Sequence, residues 1–185
     1  MYNEPDEQDL IVLCAKGDKK AKGELYNRYA ARLFTLCRRY SSNREDAKDL
    51  LQEVFIRAFD KLSSFSYSGK GSFYAWISRI AINMARNRIR KWRWKFVSVG
   101  PEVEDLLPNP TLEEMARIPE EKLLDLIAAL PEMRRVVFNL YCIDGYSHKE
   151  ISKMLGISEK GAASTLAKAR RQLKEAIRIY LNTEQ

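Results

Sequence analysis

Residues 144–177 read DGYSHKEISKMLGISEKGAASTLAKARRQLKEAI, the layout of two helices joined by a tight turn. Ser147 and Glu150 have capping-box spacing, which opens a short helix whose apolar side is Ile151, Met154 and Leu155. Gly156 supplies the left-handed residue that ends it, and Ser158 caps the next helix after a short turn. In that second helix Ala162, Leu166, Ala169 and Leu173 recur on the inner side, leaving Lys160, Ser164, Thr165, Lys168, Arg171 and Lys174 for solvent or DNA. An ordinary helical hairpin with a solvated charged face shares this periodicity. The correct spacing of cap, glycine and second cap favours a DNA-binding helix-turn-helix. Cations on such a face hold phosphates, while hydroxyls and lysine amines approach base edges.

Working outward, almost every patterned segment has helical spacing. From Glu45 to Phe59, Ala47, Leu50, Leu51, Val54, Phe55, Ala58 and Phe59 form an amphipathic stripe. Phe73, Trp76, Ile77, Ile80, Ala81 and Met84 repeat it, with Ser72 as expected N-cap, and Leu25, Tyr29, Arg32, Leu33 and Leu36 suggest a further helix upstream. Leu123 to Leu130 and Arg134 to Ile143 are periodic as well, and no convincing strand alternation is present. Between Phe96 and Glu121 the character changes. Pro101, Pro108, Pro110 and Pro119 interrupt it, and seven acids face one base, Arg117. A short helix after Thr111 is compatible with this, since Thr111 and Glu114 fit a capping box. The expected fold is therefore all-α, with small helical domains at 1–95 and 122–185 joined by a flexible acidic linker at 96–121.

Bulk properties restrict function. The 185 residues, 45% hydrophobic, suffice for a real core, and 32 basic against 25 acidic side chains give a charge of +7 and a pI near 9.3. Such a balance favours a polyanionic partner. No apolar run has the length that spans a bilayer, and Met1 to Gln8 is acidic and polar, so a cytoplasmic protein without membrane insertion is expected. Cys14, Cys37 and Cys142 are far apart and suggest buried free thiols; His148 is the only histidine and is expected at the surface. Neither a catalytic pair nor a metal cluster stands out, so no enzyme activity, metal or cofactor is expected. GKGS at 69–72 resembles a phosphate-binding loop, but the earlier glycine and the preceding strand are missing.

The stretch RIAINMARNRIRKWRWK, residues 79–95, holds seven cations and no acid. Arg79, Asn83, Arg86, Asn87 and Arg90 fall three or four apart along one helix face, opposite Ile80, Ala81 and Met84. A basic face with amides suits a DNA backbone. Trp92 and Trp94 either stack on bases or close the core.

EDAKDLLQEVFIRAF, SFYAWISRIAINMARNRIR and LPEMRRVVFNLYCIDGYSHKEISKMLGIS, in that order, resemble the extracytoplasmic function (ECF) group of bacterial sigma-70 family RNA polymerase sigma factors. The match covers roughly Gly17 to Lys174 as sigma region 2, linker and region 4. The resemblance implies a transcription initiation factor whose partners are core RNA polymerase, promoter DNA and an anti-sigma factor. Asp49, Gln52 and Glu53, with Arg57, would dock on the coiled coil of the polymerase largest subunit, a polar and reversible contact. The element near minus ten would meet Lys61, Phe65, Ser66, Tyr67, Lys70, Arg79, Asn83, Arg86, Asn87 and Arg90. Within these, the loop from Phe65 to Gly71 would trap a base swung out of the non-template strand. The minus-35 element would meet Ser158, Lys160, Gly161, Ser164, Thr165, Lys168 and Arg171. The acidic linker would either serve as a passive tether or occupy the path that nascent RNA later takes.

One departure concerns the recognition helix. Gly161, Ala162 and Ala163 stand where many members have T-V-K, and Thr165 and Ala167 replace further polar or basic residues, while Ser164, Leu166, Lys168 and Arg170 keep the pattern. Shape and phosphate contacts are therefore expected to outweigh base-edge pairing. Two rival readings remain from the residues alone: an autonomous dimeric helix-turn-helix regulator, and an enzyme acting on nucleic acid.

Overall fold

The computed structural model describes residues 6–92 and 111–183, and every regular element among them is helical. Two compact units result, Met1–Ala85 and Arg86–Gln185, the division falling inside one long helix. Trp94, the 96–110 portion of the acidic stretch, and the side chains of Arg90 and Trp92 lie outside what is described.

The first unit contains α1 (Glu7–Ala15), α2 (Lys19–Tyr40), α3 (Arg44–Asp60), a 3-10 turn (Leu62–Ser64) and the start of α4 (Ser72–Trp92). Short polar side chains start the first three helices. Asp6 accepts from Glu7 N at 2.7 Å, Asp18 from Ala21 N at 2.9 Å and Asn43 from Asp46 N at 2.8 Å, each satisfying an amide that has no intrahelical partner. One face of each helix is then buried. Leu25, Leu33, Ala47, Val54, Phe73, Ile77 and Ala81 are all fully inaccessible. Helix α2 packs on α3, and α1 packs on α2 and on the 3-10 turn.

Three local expectations change. Helix α1 falls where the sequence suggested only a polar start; its short stripe of Leu10, Ile11 and Cys14 is buried. Ser72 is the first residue of α4 rather than its cap. Gly71 precedes it at φ 90°, its carbonyl accepting from Ala75 N at 3.0 Å, a backbone angle that a side chain would strain. The core side of α4 runs through Phe73, Ile77, Ala81, Ile82 and Ala85, with Ile80 and Met84 half-buried. The inward stripe is thus rotated slightly from the one the spacing suggested.

The second unit comprises α5 (Leu112–Ala116), α6 (Glu120–Ala128), α7 (Glu132–Phe138), one π-helical turn (Asn139–Ile143), α8 (His148–Leu155) and α9 (Glu159–Thr183). The Thr111 capping box is present: Thr111 N donates to Glu114 Oε2 at 2.7 Å and Glu114 N to Thr111 Oγ1 at 3.1 Å. From Thr111 on, the acidic stretch is therefore not an extended tether. Ile118 is buried with Ile177 and Leu181, and Met115, Leu123, Leu126 and Tyr180 pack around them. Burial of this one side chain ties α5 and α6 to the end of α9. A second cluster joins Leu130, Ala169 and Leu173. Arg135 is also buried, its Nη1 donating to the carbonyls of Ala128 at 2.6 Å and Leu130 at 3.2 Å, which closes the α6–α7 corner.

Ile118→Ala should destabilise the carboxy-terminal unit by about 3 kcal/mol, the usual cost of emptying a buried aliphatic site. Urea unfolding followed by circular dichroism measures this; a residue on a passive tether would show no change.

Candidate polymerase and nucleic-acid interfaces

The helix-turn-helix forms as its punctuation dictates. Ser147 Oγ accepts from Glu150 N at 3.3 Å while Glu150 Oε2 accepts from Ser147 N at 2.8 Å. The bonds from the Ser147 hydroxyl and amide hold the Glu150 carboxyl below its usual range. Gly156 sits at φ 65°, ψ 40°, and its N–H closes on Ser152 O at 2.7 Å. Ser152 Oγ donates to Ile157 O at 2.7 Å, which fixes the turn. Ser158 Oγ then accepts from Gly161 N at 2.9 Å. A Cβ at Gly161 would lie 3.0 Å from that oxygen, so this glycine makes room for the cap.

Along α9, Lys160 is exposed, and Thr165, at the flank of the stripe of Ala162, Leu166 and Ala169, is half-buried, as are Lys168 and Arg171. Ser164 departs from the expectation. It is only 6% exposed, buried although helical spacing sets it opposite Ala162, Leu166 and Ala169. Thr165 Oγ1 donates to Gly161 O at 2.7 Å, which occupies its proton and leaves its oxygen as an acceptor. Exposed Arg170 lies with its guanidinium 5.6 Å from the Tyr141 ring centre, and Tyr141 stacks on His148 at 4.4 Å. His148 is therefore half-buried, with its Nε2 enclosed and without a hydrogen-bond partner, rather than a free surface residue. The stack links the start of α8 to the π-helical turn and to α9. Cys142 beside it is exposed, unlike buried Cys14 and Cys37.

On α3 the expected residues Asp49, Gln52, Glu53 and Arg57 are all exposed on the side opposite Leu50, Leu51, Val54 and Phe55. The structure adds a residue that charge patterning passed over. Ile56, 63% exposed, lies among them at helical spacing from Gln52, Glu53 and Asp60. Its signal in the sequence was an isoleucine out of phase with the buried stripe.

On α4, Arg79, Asn83 and Asn87 are exposed and Arg86 is half-buried. The loop before α4 is more ordered than a flexible connection. Phe65 lies 5.7 Å from Phe73 and 5.0 Å from Trp76, so its half-buried ring belongs to an aromatic cluster that anchors the loop. Tyr67 is half-buried, and Ser66 and Lys70 are exposed, as is Lys61 at the end of α3. Gly69 at φ 118° and Gly71 at φ 90° bracket Lys70 and turn the chain there.

With this geometry in place, comparison with known proteins agrees. Family models described as Sigma-70 region 2 and Sigma-70, region 4 match residues 25–95 and 120–173. The ECF RNA polymerase sigma-E factor of Escherichia coli is 30% identical over 189 residues, spanning 96% of this chain and 97% of its own. RNA polymerase sigma factor NccH of Alcaligenes xylosoxydans is 32% identical over 174 residues, spanning 90% and 92%. Among solved structures, CnrH in complex with the cytosolic domain of CnrY is similar at a TM-score of 0.46 and 24% identity, over 92% of this chain and 96% of that one. The chain belongs to the ECF group of sigma-70 family sigma factors, the transcription initiation factors that direct RNA polymerase to promoters.

Lys168→Ala should weaken duplex binding at the upstream element and reduce the slope of log affinity against log salt by about one, as loss of one phosphate contact does. Ser164→Ala should leave that slope unchanged because the hydroxyl is buried. Anisotropy titrations with holoenzyme across a salt series measure both.

Proposed function

We propose that the exposed stripe of α3, Asp49, Gln52, Glu53, Ile56 and Arg57, docks on core RNA polymerase. Helix α4 and the loop before it engage the separated minus-ten strand, and the exposed side of α9 binds the minus-35 duplex. The observation that carries this reading is the division of α3 into one side buried through Ala47, Leu50, Leu51, Val54, Phe55 and Ala58 and another on which Asp49, Gln52, Glu53, Ile56 and Arg57 are exposed, mixed in charge with one apolar residue among them. Such a surface supports a reversible contact, in which charges steer the encounter and the central isoleucine supplies desolvated area.

On α4, cations at helical spacing neutralise phosphates and amides reach bases. Asn83 has the position and chemistry for a base contact, and Lys70 for a phosphate. Opening the duplex without a nucleotide cofactor draws on the binding free energy of unstacked bases, each of which costs a few kcal/mol to expose. Tyr67 is the residue of the loop best suited to stack on such a base, since Phe65 is engaged with Phe73 and Trp76. The protein acts in the cytoplasm as a non-enzymatic subunit held in check by an anti-sigma factor. No helix among the described residues is long and apolar enough to cross a membrane.

Reconstitution with sigma-free core polymerase tests the proposal. Genomic fragments should yield discrete transcripts only when the chain is added, and their start sites define its promoters; binding of DNA without polymerase-dependent transcripts would overturn it. Gln52→Ala with Glu53→Ala should abolish co-elution with core polymerase while the circular dichroism spectrum stays unchanged. Ile56→Ala alone should weaken the association about tenfold, equivalent to about 1.4 kcal/mol, as measured by titration of labelled core.

A further inference from the structure

The span matched by the region 4 family model stops at residue 173, yet α9 runs on to Thr183. What holds this extension also lies outside the match. Ile177 and Leu181 are buried against Ile118, with Met115 and Tyr180 packed around them, so residues ahead of 120 close on residues beyond 173. The Lys122 ammonium lies 4.9 Å from the centre of the Tyr180 ring and covers the same end. Helix ends fray where nothing packs on them, and tertiary burial of this kind keeps the last turns regular.

The extension carries its charge in a definite place. Lys160, Ala163, Ala167, Arg171, Lys174 and Arg178 follow one another at intervals of three or four and share one stripe of α9. None of them is among the buried residues of the helix: Lys160, Ala167 and Arg178 are exposed, and Ala163, Arg171 and Lys174 are half-buried. Between Lys160 and Arg171 the stripe therefore holds only methyl groups, which let the helix approach a duplex closely but neutralise no phosphate. Its second half is cationic. From Lys160 to Arg178 the helix is roughly 27 Å long, against a major groove about 12 Å wide and about 8.5 Å deep. A straight helix of that length leaves the groove that its first turns enter, and its second half meets the sugar-phosphate strand alongside.

We propose that Lys174 and Arg178, at the end of α9, form a second phosphate-binding segment for the upstream duplex, kept helical by the clasp of Ile118 on Ile177 and Leu181. This rests on the reading of α9 as the helix that binds the minus-35 element. The segment supplies backbone contacts that Ala163 and Ala167 do not. Each phosphate neutralised releases condensed counterions, so the contribution is a salt-dependent affinity without base preference. The clasp contributes preorganisation, because a frayed end would have to rebuild its last turns when it met the DNA.

The test uses holoenzyme and a promoter fragment recovered in the transcription assay, with anisotropy titrations across a salt series. Arg178→Ala, a change at an exposed site, should lower affinity about threefold and reduce the slope of log affinity against log salt by about 0.9, as loss of one phosphate contact does. Arg178→Lys should restore both, and the loss in Arg178→Ala should be the same on a fragment whose minus-35 sequence is scrambled. An unchanged slope in Arg178→Ala and in Lys174→Ala would overturn the proposal, as would a loss confined to one base sequence. Amide hydrogen exchange of the unsubstituted chain checks the clasp without any folding defect: protection across 174–181 should match that across 162–173, and rapid exchange there would overturn it. Lys168→Ala separates the two layers. No loss of affinity in that variant or in Arg178→Ala removes the reading of α9 as a DNA-binding helix, whereas a loss in Lys168→Ala alone removes only the second segment.

Discussion

Phe73 is the point on which the amino-terminal unit turns. Its side chain is completely buried, and the rings of Tyr29, Phe65 and Trp76 lie 5.3, 5.7 and 5.8 Å from it. Each pair has the tilted or edge-on geometry that aromatic quadrupoles favour. Those contacts join α2, the loop and the first turns of α4. The start of α4 is therefore fixed by the core rather than by its own glycine cap.

From that anchor the charged surfaces follow by exclusion. Because α3 and α4 each commit one side to the interior, their polar residues must share the other. The exposed mixed-charge stripe of α3 and the exposed basic and amide face of α4 are thus consequences of the same burial. A separate logic governs the carboxy-terminal unit. There, backbone punctuation dominates: a left-handed Gly156, two serine caps and the Ser152 hydroxyl on Ile157 O set the angle between α8 and α9. Buried Arg135, bonded to two carbonyls at the end of α6, does for the α6–α7 corner what no apolar side chain would, because carbonyls at a helix end need donors. Stacked His148 and Tyr141, with Arg170 beyond, complete the frame that carries the recognition helix.

Much of this was legible without coordinates wherever the signal is local. Capping boxes at Thr111 and Ser147, the left-handed Gly156 and the Ser158 cap depend on residues within four positions of one another, and all form as expected. The amphipathic stripe of α3 likewise reads directly from its periodicity. Less legible were short or marginal cases. Helix α1 has too few turns for a periodic signal, and Ile118 is a single apolar residue among acids and prolines. Ser164 is a small polar residue that spacing alone places on the outer side, away from Ala162, Leu166 and Ala169, and only the tertiary packing buries it.

Sequence alone determined the helical class, the order of the elements, the helix-turn-helix punctuation and the family, since each is encoded in near neighbours or in a collinear pattern. Only tertiary structure decided that Phe65 joins an aromatic cluster with Phe73 and Trp76, that Ile56 stands exposed within the polar stripe, and that Glu7, at the start of α1, is buried. Those outcomes depend on which side chains from distant positions compete for one interior volume, and no local spacing carries that information.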